Sequence, residues 1–163
     1  MTFPLAPMSP SILGLTIGLL AFPAIFIVFA AIWLPPLLIV AALVLAIYAW
    51  VWLRYRPTAF SVQPTGVEVT WPLKRRTIPR ADIIAARVID GPTLRRETGW
   101  AMRVGAGGLF GGFGYLWTTR RGLVRMYVSR TDRFVWIECR CERPWLITPD
   151  RPDTFVRALG ANG

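Results

Sequence analysis

Histidine is absent from this chain of 163 residues, and lysine occurs only once, at Lys74. Histidine is the commonest general base and metal ligand in proteins, so its absence excludes most acid–base and metal chemistry. The only two cysteines, Cys139 and Cys141, are too few for a zinc site, and they point to the same face of one predicted strand. The carboxylates are scattered, with no close pair except Asp150 and Asp153 at a predicted helix start. We therefore expect no catalytic residue, no metal site and no cofactor, and we expect that the chain is not an enzyme.

Charge is missing from the first 53 residues. All 19 basic and all 9 acidic side chains lie from Arg54 onward, which gives that part the whole net charge of +10. Such a division predicts a membrane segment followed by one small water-facing domain. We place an N-terminal tail at 1–10, the membrane segment at 11–53 and the soluble domain at 54–163.

The apolar segment consists of two runs, 11–34 and 37–53, separated by Pro35-Pro36. About 20 helical residues are needed to cross a bilayer, and a proline pair interrupts a helix. The pattern predicts a transmembrane helical hairpin. A single kinked helix would carry about twice the apolar length that a bilayer covers. A cleaved signal peptide is disfavoured because residues 1–10 contain no Lys or Arg and a second apolar run follows.

Positive charge follows the second run at Arg54 and Arg56, whereas the hairpin turn carries none. The positive-inside tendency therefore places the 54–163 domain and the N-terminus on the cytoplasmic side. Aromatic residues concentrate at membrane interfaces. On this basis we assign four side chains to the interfaces, the first to the outer and the others to the inner one: Trp33, Trp50, Trp52 and Tyr55.

The soluble part contains short segments with strand-like composition, among them AFSVQ, GVEVTW, IIAARVI, RMYVS and FVWIEC. Their spacing and period-two alternation indicate a small antiparallel barrel or sandwich. Asp90-Gly91-Pro92 is interpreted as a break between strands. At the end, Pro152 suits a first helical turn, and Phe155 and Leu159 follow at helical spacing, which predicts a C-terminal helix.

The tract RVGAGGLFGGFGYLW, followed by Gly122, MYVS, VWIE and LITPDRPDTFVRAL, resembles the bacterial PH (pleckstrin-homology-like) domain family. The segment GVEVTWPLKRRTIPRADI resembles the opening of that family, and the resemblance covers about 54–159. It implies a mainly antiparallel β, PH-like barrel closed by a C-terminal helix, preceded here by the transmembrane hairpin. Members of the family often carry one or two N-terminal transmembrane helices, and together with the charge bias this predicts a multi-pass protein of the bacterial inner membrane with both termini cytoplasmic. The resemblance implies a fold more clearly than an activity.

The glycine tract GAGGLFGGFG, 105–114, superficially suggests a phosphate-binding loop. A P-loop requires a following lysine and hydroxyl, and a dinucleotide site requires a βαβ unit, and none of these is present. Two alternatives stay open: a tight corner of the β domain, which Gly107→Val or Gly111→Val would destabilise, or a loop that docks on a partner or contacts the membrane. Under the second alternative the partner-docking side chains are Leu109, Phe110 and Phe113.

A basic turn contains Lys74, Arg75 and Arg76, with Arg80 nearby. PH domains that bind lipids place headgroup ligands in the first hairpin loop, so the resemblance implies contact with anionic headgroups. Bacterial membranes generally lack phosphoinositides, and a solvated turn is the simpler alternative. Arginine with tryptophan can also bind single-stranded nucleic acid, but the positive-inside bias explains the charge, so we expect no nucleic acid.

Two functional hypotheses follow. The first is a non-enzymatic accessory or scaffold protein, a small subunit of a transport, energy-transducing or photosynthetic membrane complex, which contacts another integral membrane protein. The second is a membrane-anchored module that senses anionic lipid headgroups. Neither involves a small-molecule substrate.

Overall fold

The computed structural model describes residues 1–33, Pro36 and 38–161, and it contains two long helices followed by a mainly antiparallel β domain. The helices are α1 (Pro10–Trp33), α2 (Leu38–Arg54), α3 (Gly91–Thr98) and α4 (Pro152–Ala161). The strands are β1 (Thr2–Pro4), β2 (Ala59–Gln63), β3 (Gly66–Thr70), β4 (Arg75–Pro79), β5 (Ile83–Ile89), β6 (Ala101–Gly107), β7 (Gly112–Thr118), β8 (Gly122–Val128), β9 (Phe134–Cys139) and β10 (Trp145–Ile147).

Helices α1 and α2 pack against each other as a hairpin. The Tyr48 hydroxyl on α2 donates a hydrogen bond to the carbonyl oxygen of Leu19 on α1, at 2.9 Å. Ala30 and Ala41, small residues that allow close helix packing, are both buried. The predicted turn at Pro35-Pro36 falls largely outside the described residues.

Within the described residues, α1 is the one helix long and apolar enough to cross a membrane, by length and composition. Its 24 residues extend ~36 Å, whereas the 17 residues of α2 extend ~25 Å, short of the ~30 Å hydrocarbon core. The structure thus gives a helical hairpin with one candidate span, rather than the two equivalent spans expected.

The strands form two sheets. The first has four antiparallel strands in the order β1-β2-β3-β4, and the second has six in the order β5-β9-β10-β8-β7-β6. Within the second sheet, β8 and β10 pair in parallel and the other pairs are antiparallel. The expected antiparallel character is confirmed, but the closed barrel is wrong for the described residues. A short 3-10 turn, Arg80–Asp82, separates β4 from β5, and each of these strands is an edge of its own sheet.

The N-terminal residues belong to the β domain. Strand β1 pairs with β2, and the buried ring of Phe3 contacts the edge of Phe155 on α4 at a centroid distance of 5.3 Å. The amide of Ala6 donates to the Thr148 carbonyl at 2.9 Å, and the Ser129 hydroxyl donates to the Ala6 carbonyl at 2.6 Å. The expectation of a separate 1–10 tail is therefore wrong for these residues.

Two apolar clusters lie on opposite faces of the six-stranded sheet. The larger cluster lies between the two sheets and α4 and includes Trp145 and Phe155. The smaller cluster lies on the other face, where Leu94 of α3 packs against it. The predicted C-terminal helix is confirmed, and it begins at Pro152 as expected. The sequence interpretation missed α3, whose first turn is capped by Asp90.

The glycine tract forms parts of two strands, and only residues 108–111 make the turn between β6 and β7. Gly111 has a φ of +143°, and a Cβ there would lie 2.2 Å from the Val128 carbonyl oxygen, so no other residue fits without a shift. The position of a Cβ at Gly107 has no atom within 4 Å. The structure therefore gives no reason for Gly107→Val to destabilise the domain, but it supports the expectation that Gly111→Val does.

Candidate membrane-proximal site

Two hairpin turns of the β domain lie against the helical hairpin. We call this region, made of residues 71–74, residues 108–111 and the adjoining helix ends, the membrane-proximal site. The β6–β7 turn contacts α1 through Thr16. The Phe110 amide donates to the Thr16 hydroxyl oxygen at 3.0 Å, and that hydroxyl donates to the Gly108 carbonyl at 3.3 Å. One buried threonine thus satisfies two backbone groups of the turn.

Phe110 extends the same contact to α2. Its ring lies edge-on to Trp52, with the ring centroids 4.5 Å apart. Phe110 has a φ of +62°, a conformation that costs a residue other than glycine roughly 1–2 kcal/mol. Because the chain keeps phenylalanine at this strained position, its ring contact and the backbone bond to Thr16 must offset that cost.

The three predicted docking side chains are buried or half-buried within the chain itself. Leu109 is 7% exposed and Phe113 is 1% exposed, and Phe110 is half-buried against Trp52. In this conformation Leu109 and Phe113 offer almost no surface to another protein. Of the three, Phe110 attaches the turn to α2 through its contact with Trp52.

The β3–β4 turn lies at the end of α2. The indole N–H of Trp71 donates to the Tyr55 carbonyl at 3.0 Å, just after the helix ends. The Lys74 ammonium lies 4.6 Å from the centroid of the Trp71 ring, a cation–π arrangement. The tip residue Leu73 is 60% exposed. A lysine and an apolar side chain therefore project where α2 meets the domain.

Positive charge is concentrated at this end of α2. Partial burial lowers the pKa of Lys74, and the neighbouring charges of Arg54, Arg76 and Arg125 lower it further. Burial also lowers the pKa of Arg56, whose guanidinium carbon lies 4.2 Å from the Trp52 ring centroid. The sequence did not reveal that Arg125, on β8, belongs to this group, because its proximity arises only from the tertiary fold.

The predicted basic residues do not all lie together. Arg75 is exposed beside Lys74, and Arg76 forms an ion pair with Glu142 at 2.8 Å. Arg80 follows the other end of β4, where its amide donates to the Thr65 carbonyl. Five strand residues separate it from Lys74 by ~17 Å, so the grouping of Arg80 with the basic turn is corrected.

The predicted interface aromatics occur at opposite ends of the hairpin. Trp50, Trp52 and Tyr55 lie at the domain end of α2, and the Arg54 guanidinium lies 5.9 Å from the Trp50 ring centroid. Trp33 is exposed at the far end of α1. The two groups are separated along the helix axis as interface residues would be.

An exposed apolar stripe runs along the β6–β7 hairpin from the same site. Three alternate residues around the start of β6 share one face with a residue that pairs opposite them on β7. We call this set the aromatic stripe: Trp100, Met102, Val104 and Trp117. The two indole rings contact each other edge-on, with centroids 6.0 Å apart. The alternation of apolar residues in WAMRV is the sequence feature from which this stripe could have been predicted.

Among the described residues, no group of three His, Cys, Asp or Glu side chains could hold a metal ion. Comparison with protein families gives a match between residues 58–162 and the model of the bacterial PH domain. Comparisons with curated proteins and with solved structures give no match. The matched segment begins just before β2 and includes every later strand and helix, and so the chain belongs to the bacterial PH domain family.

Proposed function

We propose that the chain is a non-enzymatic, multi-pass accessory protein of the bacterial inner membrane. In this proposal α1 and α2 cross the membrane, and the PH domain lies on the cytoplasmic side. There it docks on another integral membrane protein as a small subunit of a transport, energy-transducing or photosynthetic complex.

The pairing of β1 with β2 supports two crossings. These strands flank the helical hairpin and are hydrogen-bonded in one sheet, so they lie on one side of any membrane. If α1 crosses, then α2 must return the chain to the starting side. The shortness of α2 is compatible with this, because a span somewhat shorter than the ~30 Å core is accommodated by local thinning of the bilayer and by flanking arginines that extend to the interface. Cleavage of α1 as a signal peptide would remove β1, which is part of the first sheet, so the pairing also argues against a signal peptide.

The domain is attached to the hairpin at more than one point, which supports a docking role. Strand β1, the contact of Phe110 with Thr16 and Trp52, and the bond from Trp71 to Tyr55 together set its orientation. A flexible tether would be enough to hold a domain near a membrane. A fixed orientation instead presents one surface at a defined height.

The aromatic stripe is the observation that carries the docking proposal. It extends ~13 Å from Val104, in the middle of β6, to Trp100, which immediately precedes that strand. Tryptophan and methionine are enriched in the buried centres of protein interfaces. Because the stripe and the turn that contacts α1 belong to one hairpin, a partner that is itself embedded in the membrane could cover both the stripe and the helices.

The test is purification of the tagged full chain from its native membrane in mild detergent. We expect a complex larger than the chain, from which Trp100→Ser with Trp117→Ser releases the partner. Ile84→Ser is the matched control, since Ile84 is equally exposed on β5, at the opposite edge of the same sheet. A chain that migrates only as a monomer, or a complex that tolerates the stripe variants, would contradict the proposal.

The cluster around Lys74 favours a second candidate function, the sensing of anionic lipid headgroups. Arg54 and Arg76 lie near Lys74, Arg75 is exposed beside it, and exposed Leu73 could enter the bilayer surface. Each basic residue close to an anionic leaflet contributes ~1 kcal/mol.

This second candidate is tested with the full chain in nanodiscs of phosphatidylcholine, with and without phosphatidylglycerol. We expect anionic lipid to slow hydrogen exchange at residues 71–76, and to do so less at high salt. Lys74→Ala with Arg75→Ala should abolish this protection, whereas Arg80→Ala, at the other end of β4, should preserve it. Equal protection in both lipids would contradict headgroup sensing.

A further inference from the structure

A groove lies on the face of the six-stranded sheet that is turned away from the four-stranded sheet. It has a volume of about 750 Å³, within the usual range of small-molecule sites. The groove exists because α3, only eight residues long, covers part of this sheet face. Its apolar lining includes Trp100 together with Leu94, Leu116, Met126, Val128, Phe134 and Leu146.

Three arginines line the same groove: Arg95 on α3, Arg103 on β6 and Arg130 after β8. Among the described residues, the side chains of Arg95 and Arg103 form no ion pair. Arg130 is held by the carbonyl oxygens of Asp132 and Arg133, at 3.1 and 3.2 Å. The Asp132 carboxylate is 3.8 Å away and only partly compensates its charge.

The groove also adjoins the membrane anchor. Ile12, in the first turn of α1, is one of its lining residues. A molecule that leaves the lipid leaflet beside α1 could therefore enter the groove without crossing the domain.

We propose that this groove binds a single-chain anionic amphiphile of the fatty-acid class. Its chain lies on the apolar sheet face beside α3, and its carboxylate is bound by Arg95 and Arg103, the two lining arginines that form no ion pair among the described residues. The combination decides the ligand class, because an apolar lining without the arginines would fit any hydrocarbon, and the arginines alone would fit any anion. The site is separate from the Lys74 cluster. Of the aromatic stripe only Trp100 lines it, since Met102 and Val104 alternate with Arg103 and lie on the other face of β6. It does not depend on the proposed docking function.

The test uses the full chain in phosphatidylcholine nanodiscs with a photoreactive long-chain fatty acid, followed by peptide mapping. We expect saturable labelling in segments 91–103 and 112–134, with competition by unlabelled fatty acid. A fatty alcohol of equal length should compete about tenfold less well, because it lacks the charge-assisted hydrogen bonds. Labelling confined to α1 and α2, or equal competition by the alcohol, would overturn the proposal.

Two variants separate the groove from general partitioning into the nanodisc. Met126→Trp fills the groove and should abolish the labelling of segments 91–103 and 112–134. Since it could also disturb the core, Arg103→Gln provides a second variant at an exposed position and should weaken binding about tenfold. Arg75→Gln, in the basic turn, is the matched control and should label as the parent does. If Arg103→Gln and Arg75→Gln both behave as the parent, the assignment of the carboxylate site is wrong.

Discussion

The two turns of the membrane-proximal site contact the same helical hairpin with opposite chemistry. The β6–β7 turn is apolar, glycine-rich and largely buried, and it is bonded to α1 through Thr16. The β3–β4 turn is basic, and its tip residue Leu73 is exposed. Only its base is bonded to the end of α2, through Trp71.

The difference suggests separate roles for the two turns: the β6–β7 turn attaches the domain to the helices, and the β3–β4 turn is available for other contacts. A turn whose side chains are buried in its own chain fixes how the domain is oriented, whereas a turn with exposed cations is free to contact something else. The glycine tract, the most conspicuous motif of the sequence, therefore belongs to the attachment, whereas the shorter basic turn leaves Leu73 and Arg75 exposed. Substitutions in the first turn should change stability, and substitutions in the second should change interactions with lipid.

The largest effect is expected for Gly111→Val. A Cβ at this position would lie 2.2 Å from a backbone oxygen of β8, and the φ of +143° disfavours any side chain. We expect a loss of roughly 3 kcal/mol or more, seen as a large fall in the thermal midpoint of the full chain in detergent. Gly107→Val, in the same tract with open space around its Cβ, is the control and should melt close to the parent. Equal destabilisation by both variants would remove the distinction between the two glycines.

A smaller effect is expected for Thr16→Val, which keeps the shape of the side chain and removes its hydroxyl. The Phe110 amide then loses its partner, at a cost of about 1–3 kcal/mol. We expect faster hydrogen exchange at that amide and its neighbours, with the rest of β6 and β7 unaffected. Thr77→Val, an exposed site on β4, should leave exchange in the β6–β7 turn unchanged. Unaltered exchange in Thr16→Val would show that this bond does not hold the turn on α1.

Phe110→Ala tests the contact with α2 and should cost about 1 kcal/mol, the size of an edge-on aromatic pair. Phe110→Gly also removes the ring but relieves the strained φ of +62°, so it should cost less than the alanine variant. Leu73→Ala, at the tip of the other turn, should not change the thermal midpoint in detergent. A double-mutant cycle with Trp52→Ala measures the ring contact itself, and additive losses would argue against it.

Secondary-structure elements that depend on local sequence patterns could be predicted, whereas contacts between residues far apart in the chain could not. Alternation and turn residues were enough for β2, β3, β8 and β9, since each depends on its own pattern. Helix α3 was also readable in principle, because Asp90 is its N-cap, Pro92 lies in its first turn and Gly99 ends it. These residues were interpreted as a break because helix-start and turn signals share the same composition.

Other features could not be read from local pattern. Strand β1 is three residues long, contains a proline and pairs with residues beyond the entire helical hairpin. The presence of Arg125 near Lys74 likewise depends on how two separate sheets pack. The separation of Arg80 from Lys74 was predictable, since a strand of five residues necessarily places its ends far apart.

The smallest effect concerns protonation and is measured at the only lysine of the chain. Burial and the adjacent arginines lower the pKa of Lys74, since both disfavour the ammonium form. Reductive methylation with ¹³C-formaldehyde would label Lys74 and the N-terminus, and an NMR titration in phosphatidylcholine nanodiscs should give Lys74 a pKa below the usual ~10.4. Anionic lipid should raise that pKa, because phosphate groups beside the turn stabilise the charged amine. Arg54→Gln should raise it as well, by removing one repelling charge, and the N-terminus serves as the internal control. A Lys74 pKa that does not change with phosphatidylglycerol would mean that the basic turn does not contact the headgroups, and of the two proposed contact surfaces only the aromatic stripe would then remain.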